Sequence, residues 1–85
     1  MKSRASSKFW RLFHQLPPET QRAAVKNYGL WLANHWHPSL HFKKIRNYWV
    51  VRVSENYRAV GVVSEGTIVW FWIGPHDESE RLVGS

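Results

Sequence analysis

The last third of the chain constrains the fold most, because it carries three short runs of β-branched and aromatic residues. The runs cover residues 49–53, 57–63 and 67–73, and polar breaks separate them at residues 54–56 and 64–66. Runs of this length and composition form strands, and such short breaks fit only tight reverse turns. The pattern therefore predicts an antiparallel meander over residues 48–73.

Two arginines flank the first break, and their relative position depends on its turn. We expect a three-residue loop over residues 54–56, with Asn56 in the left-handed conformation that asparagine tolerates. This loop would place Arg52 directly opposite Arg58 on one face, whereas a four-residue loop would send them to opposite faces. A guanidinium is costly to bury unpaired, so the arginine face is expected to stay solvated and to meet an anion.

The alternation of the strands assigns the opposite face to the core. Val50 and Val60 fall on the arginine face, and the other face takes Trp49, Val51, Val53, Tyr57, Ala59 and Val63. In the third run, Trp70 is expected opposite Gly61 and on the same face as Trp72. Phe71 and Val69 would then join the arginine face.

The first half of the chain has the periodicity of two helices. In residues 6–16, apolar residues recur at i, i+3, i+4 and i+7 after a serine N-cap, and Pro17 ends the pattern. A second helix is predicted over residues 18–35, because Pro18 suits a first helical turn and Pro38 prevents the helix from continuing further.

Two helices and a meander with one apolar face pack most economically when both helices cover that face. The predicted fold is α+β, with two N-terminal helices on one face of a three-stranded antiparallel sheet. Residues 1–5 are expected to be flexible, and residues 77–83 to form a C-terminal turn or short helix. Eighty-five residues with 44% apolar content predict one domain over residues 1–85.

Features missing from the sequence narrow the class of protein. There is no cysteine, so packing alone must hold the fold, as suits a reducing cytosol. No apolar run approaches the roughly 20 residues that cross a bilayer, and no secretory signal follows Met1. We expect a soluble, cytoplasmic protein without a membrane partner.

Charge is distributed unevenly along the chain. Residues 1–54 contain ten lysines and arginines and one acid, Glu19, giving +9, whereas the remainder carries −3. This excess favours a polyanionic partner, although charged runs are often only solvated surface. Lys43, Lys44 and Arg46 lead into the first strand of the meander, and we expect them to contact phosphates.

The sequence gives only weak support for metal binding by its histidines or for base stacking by its tryptophans. His35, His37 and His41 lack an accompanying thiol or carboxylate, so neither a metal site nor a cofactor is predicted. Six tryptophans could stack on bases, but in a small domain without disulfides tryptophan is first of all core volume.

Four fragments in order resemble the RelE/ParE superfamily of bacterial toxins. They are Phe42-Lys43-Lys44, Trp49-Val50-Val51-Arg52-Val53, Asn56-Tyr57-Arg58-Ala59 and Trp70-Phe71-Trp72-Ile73-Gly74-x-His76. The resemblance extends from about Pro17 to Leu82. It is close to a RelE-like group of small proteins that share the segment His37-Pro38-Ser39-Leu40 and begin with a helix in place of the usual first strand.

The resemblance implies a ribosome-dependent mRNA endonuclease that inhibits translation and is neutralised by a cognate antitoxin. It places the strand cation on Arg52, the arginine of the next strand on Arg58, and the residue after the last strand on His76. A further strand lysine corresponds to Val50, and the usual tyrosine corresponds to Ser79, which could serve only as an auxiliary hydrogen-bonding group. Some superfamily members poison DNA gyrase instead.

The chemistry of RNA cleavage agrees with these assignments. Attack by the 2′-hydroxyl requires a proton acceptor, a proton donor for the leaving 5′-oxygen, and cations around the phosphorane, but no metal ion. Arg52 and Arg58 match phosphate geometry, and His76 can transfer a proton at neutral pH. Alternatively, His76 caps the C-terminal helix or pairs with Asp77, and the chain binds nucleic acid or an antitoxin without cutting.

Overall fold

The computed structural model describes residues 1–84; Ser85, the last residue of the predicted domain, lies outside the described residues. The strands are β1 (Lys2–Ala5), β2 (Lys43–Ile45), β3 (Tyr48–Ser54), β4 (Tyr57–Ser64) and β5 (Thr67–Pro75). The α-helices are α1 (Ser7–His14), α2 (Pro18–Ala33) and α3 (His76–Gly84), with a 3₁₀ turn at Pro38–Leu40. No helix within residues 1–84 combines the length and the apolar character needed to cross a membrane.

The strands form one mixed sheet in the order β1-β5-β4-β3-β2, in which only β1 is parallel to its neighbour. The α+β class and the central meander are as predicted, but a three-stranded sheet is wrong because both edge strands were missed. Residues 1–5 were expected to be flexible, and the first element was expected to be a helix. Both expectations are wrong because β1 covers Lys2–Ala5 and precedes α1. Lys2–Ala5 and Lys43–Ile45 contain one β-branched residue between them, and charged edge strands of this kind resemble loops in sequence.

Helices α1 and α2 cover one face of the sheet. Ser6 caps α1 by accepting a hydrogen bond from the Phe9 backbone N–H (3.1 Å). The buried core beneath the helices comprises Trp31, Leu40, Phe42, Val51, Val53, Ala59, Ile68, Trp70 and Ile73. This face is the one that the alternation of the strands assigned to the core.

The opposite face is covered at its centre by α3 and is not bare. Val83 packs with Val50 and Val60 in a second buried cluster. The Arg46 Nη2 also donates to the Gly84 carbonyl at 3.5 Å, close to the end of α3. The prediction that the helices leave this face open therefore holds for α1 and α2 but overlooked what the C-terminal helix covers.

Two register shifts decide which side chains share a face. On β3, Arg52 pairs with Arg58 and Ser54 with Tyr57, so that Val53 is an additional residue. The predicted pairing of the arginines is confirmed, but its predicted cause is wrong. A bulge and a two-residue turn replace the three-residue loop, and Asn56 is not among the residues with positive φ.

The second register shift moves a tryptophan. Gly61 pairs with Trp70 and Val60 with Trp72, which leaves Phe71 as the additional residue. Trp70 lies in the core under the helices, whereas Trp72 and Phe71 pack on the arginine face. The prediction that the two tryptophans share a face is therefore wrong, because a bulge inverts the alternation between them.

Asn27 on α2 stabilises the bulge in β3 from outside the sheet. Its Nδ2 donates to the backbone carbonyls of Arg52 (3.2 Å) and Val53 (2.7 Å). A bulge disrupts the ladder locally and leaves backbone groups in need of partners. This asparagine therefore couples α2 to the strand segment that carries Arg52.

We expect Asn27→Ala to lower the free energy of unfolding by about 1–3 kcal/mol, because two carbonyls lose their donor. Urea unfolding measures the loss. The matched control is the exposed neighbour Lys26→Ala, which should stay within about 0.5 kcal/mol of the parent. Equal stability of the two variants would contradict this role for Asn27.

A glycine substitution tests the packing of Trp70. A Cβ at Gly61 would lie 3.0 Å from Ile68 Cγ1, Trp70 Cε3 and the Val69 carbonyl, so Gly61→Ala should cost about 1–3 kcal/mol. A Cβ at Gly29, in α2, would meet nothing within 4 Å, so Gly29→Ala should stabilise the protein by about 0.5–1 kcal/mol. Thermal unfolding of both variants checks the pair, and a tolerated Gly61→Ala would refute the packing described.

Candidate functional site

The two arginines lie side by side where β3 and β4 approach their connecting turn. Arg58 is fixed there, since its Nη1 donates to the carbonyls of Ser54 (2.7 Å), Glu55 (3.2 Å) and Tyr57 (2.9 Å). The other nitrogens of this guanidinium make no hydrogen bond with residues 1–84. The Arg52 side chain makes neither a hydrogen bond nor an ion pair with that part of the chain. Both side chains are half-buried, so the pair is fixed at one member and open to solvent.

The electrostatics of the pair are those of an anion site. Partial burial lowers the pKa of Arg58, the positive charge of Arg52 lowers it further, and the carboxylate of Glu80 acts in the opposite direction. A guanidinium nevertheless remains charged in proteins, so two positive charges face solvent together. An anion placed between them would relieve their repulsion and could accept hydrogen bonds from both groups.

His76 enters the site from the end of β5. Because Tyr57 pairs with Pro75, the first residue of α3 lies beside the turn between β3 and β4, and its backbone N–H donates to the Asn56 carbonyl at 2.8 Å. Its imidazole is about half exposed, and Nε2 lies 3.5 Å from Oε1 of Glu80, one helical turn further on. The side-chain partner is therefore Glu80 and not Asp77, whose Oδ1 accepts from the Glu78 backbone N–H.

Ser79 does not share this exposed position. Its side chain is buried, with 2% of its surface exposed, and its Oγ donates to the His76 carbonyl at 2.7 Å. A hydroxyl in this position cannot also reach an RNA strand. The structure thus gives Ser79 a role in the first turn of α3 and contradicts its assignment as an auxiliary contact, because the residue lies on the buried side of the helix.

The three basic residues before the meander do not form one surface. Lys43 pairs with Val50 and therefore lies on the arginine face, whereas Lys44 pairs with Trp49 and lies on the opposite face. Arg46 lies in the turn after β2 with a φ of 58°, and its guanidinium reaches the end of α3. Lys43 and the guanidinium of Arg46 thus lie on the side of the arginine pair, and Lys44 lies on the other side.

Sequence reasoning missed three residues that shape this site. Asn27 fixes the strand backbone at Arg52, and Glu80 faces His76. Tyr48 lies on the arginine face, with its ring centroid 6.0 Å from that of Phe71, which the alternation of the strands had already assigned to this face. The two-residue period could have placed Tyr48 on the arginine face, and the i, i+4 spacing could have found Glu80. Nothing in the sequence indicates the bulge that makes Asn27 important.

Two of the histidines outside the site have structural contacts. His35 stacks on Trp31 at a centroid distance of 3.9 Å, with Nδ1 2.6 Å from the Trp31 carbonyl oxygen. His37 Nδ1 accepts from the Ser39 backbone N–H at 3.2 Å. These contacts organise the segment between α2 and β2.

Neither a family model nor a curated protein matches this sequence. Solved structures match it over most of its length. The toxin-antitoxin complex RelBE2 from Mycobacterium tuberculosis has a chain with a TM-score of 0.68 at 20% identity, covering 88% of this chain and 96% of that chain. The RelB-RelE antitoxin-toxin complex from Methanococcus jannaschii gives a TM-score of 0.66 at 20% identity, with 92% and 95% covered.

A toxin named YoeB/ParE, from Agrobacterium tumefaciens, matches equally well in shape. Its TM-score is 0.68 at 13% identity, with 89% of this chain and 99% of that chain covered. At identities this low, the likeness establishes the fold alone. The chain has the fold of the RelE, YoeB and ParE type of toxin.

Proposed function

We propose that this chain is a RelE-like toxin that cleaves mRNA on translating ribosomes and is neutralised by a cognate antitoxin. The observation that carries the proposal is the pairing of Arg52 with Arg58 across β3 and β4, with His76 at the same end of the sheet. The RelE-like fold supports the class of protein, and these residues support the reaction. The proposed localisation is the cytoplasm, where the protein would bind both its mRNA target and its antitoxin.

The arginine pair supplies the electrostatic part of the reaction. The scissile phosphate binds between the two guanidinium groups, with Lys43 contacting the strand from the neighbouring edge. When the 2′-oxygen attacks phosphorus, negative charge grows on the non-bridging oxygens, and donors already fixed in place stabilise it. Arg58 is fixed by the carbonyls of its turn, so little reorganisation is needed. These cations would supply the charge stabilisation for which other nucleases use a metal ion.

His76 supplies one of the two proton transfers. The 2′-hydroxyl must lose its proton as its oxygen bonds to phosphorus, and the 5′-oxygen must gain one as its bond to phosphorus breaks. Histidine is the side chain that changes protonation near neutral pH, and this imidazole is accessible. Glu80 Oε1 lies 3.5 Å from Nε2 of this ring and can hold the imidazole in one orientation while the proton is transferred.

The antitoxin part of the proposal is supported by apolar surface on α1 and α2. A groove of about 240 Å³ lies between these helices and the sheet. On one face of α2, Val25, Tyr28 and Leu32 expose 65%, 42% and 56% of their surface. Patches of this kind mark protein interaction sites, and the basic surroundings favour an acidic partner.

We expect Arg52→Gln to reduce mRNA cleavage on programmed ribosomes by about 10²–10³-fold, because a donor to the phosphorane is lost. His76→Ala should reduce it by about 10²–10⁴-fold. Mapping of transcript ends measures both losses. Arg22→Ala, an exposed cation on α2, is the matched control and should leave cleavage unchanged.

Other outcomes of the same assay would identify other functions. If the wild-type protein is as inert as His76→Ala, the chain is a binder that keeps the toxin fold without cutting. If transcripts stay intact while DNA supercoiling by gyrase is blocked, the protein is a gyrase inhibitor. If Arg22→Ala is as inactive as Arg52→Gln, the arginine pair is not the site.

A further inference from the structure

An exposed tryptophan lies on an aromatic support beyond the end of α2. Trp36 exposes 62% of its surface, and its ring packs on Phe42 (centroid distance 5.2 Å) and Trp49 (6.1 Å). Phe42 and Trp49 are themselves stacked at 4.7 Å. The backbone N–H of Trp36 donates to Asn34 Oδ1 at 3.0 Å, which fixes the segment. An indole is thus held in place with much of its surface left to solvent.

The cation placed beside this aromatic cluster of Trp36, Phe42 and Trp49 is Lys44. Lys44 lies directly opposite Trp49 on β2, so its side chain leaves the sheet on the same face, with Cβ atoms about 4.5–5.5 Å apart. It is exposed and makes no ion pair with residues 1–84. No aspartate or glutamate occurs between residues 20 and 54. The surface is therefore suited to a ligand that combines flat rings with negative charge.

The position of β2 connects this cluster to the arginine pair. β2 is one of the two edge strands of the sheet, and its successive lysines point to opposite faces. Lys43 lies on the face of Arg52 and Arg58, and Lys44 lies on the face of Trp49. A strand that passed around this edge would meet a cation on each side.

We propose that the aromatic cluster and Lys44 bind an unpaired nucleotide of the RNA strand whose phosphate lies between Arg52 and Arg58. The base stacks on Trp36, Lys44 contacts its phosphate, and the strand crosses the edge of the sheet at β2. This inference rests on the proposed function, because the strand is the mRNA to be cut. Every nucleotide joins a flat base to a phosphate, whereas an acidic protein offers a ring next to a negative charge only where its sequence happens to place one, so the observations favour RNA.

Binding of uncleavable RNA tests the proposal without relying on catalysis. A fluorescently labelled, fully 2′-O-methylated RNA of about nine nucleotides is titrated with protein at constant salt, and anisotropy gives the affinity. Trp36→Ala should bind about 5-fold to 150-fold more weakly, which is the range for losing one base stacked on an aromatic ring. Trp36→Phe keeps an aromatic face and should recover most of the affinity. The matched control is Trp10→Ala, an exposed tryptophan on α1, which should bind like the wild type.

Lys44→Gln provides a second variant that does not disturb the aromatic packing. It should reduce the slope of log affinity against log salt by about 0.7, the value for one contact to a single strand. Circular dichroism of every variant confirms that the fold is intact.

Three results would overturn the proposal: unchanged RNA affinity in Trp36→Ala, an equal loss in Trp10→Ala, or a loss in Trp36→Ala of binding to an acidic protein partner alone. If the wild type binds RNA through Trp36 but does not cut mRNA, the proposed RNA-binding surface stands and the proposed nuclease function is wrong. If the wild type cuts mRNA but Trp36→Ala does not change its RNA affinity, the nuclease function stands and the RNA-binding surface at Trp36 is wrong.

Discussion

The fold places two like charges directly opposite each other, and most of the site follows from that pairing. Cross-strand cations repel, which destabilises a sheet by a few tenths of a kcal/mol up to about 1 kcal/mol. The chain offsets this repulsion locally. Arg58 donates to three carbonyls of its own turn, and Asn27 supports the bulge beside Arg52. A sheet under no functional demand would gain stability by replacing Arg52, the member of the pair whose side chain has no hydrogen bond or ion pair within residues 1–84.

The remaining parts of the site are brought to this pair by the topology of the sheet. Because β5 is antiparallel to β4, its C-terminal end lies next to the turn that holds Arg58, and α3 begins there with His76. The helix then crosses the sheet, buries Val83 against Val50 and Val60, and presents Glu80 to the imidazole. One short C-terminal helix therefore covers the centre of the face while leaving the arginine end accessible to a phosphate.

The sequence allowed the central meander and both N-terminal helices to be predicted, because each depends on local composition and periodicity. The opposition of Arg52 and Arg58 was predicted from the wrong turn, since a bulge at Val53 and a two-residue turn produce it. The sequence did not reveal β1 or β2, whose residues resemble loops and become strands only by pairing with β5 and β3. It could not place Trp72 either, since a bulge at Phe71 reverses the alternation without any local signal. Ser79 was misjudged for a related reason. Its assignment came from its position in a motif, whereas its accessibility depends on which side of α3 faces the sheet.

The most direct test of the central claim is the free energy of unfolding of Arg52→Gln at low salt, measured with urea. If Arg52 is present to bind an anion, removing its charge relieves repulsion with Arg58, and the variant should be more stable than the parent by about 0.2–1 kcal/mol. A variant less stable by more than about 1 kcal/mol would contradict the account, because Arg52 would then be a structural residue of the sheet.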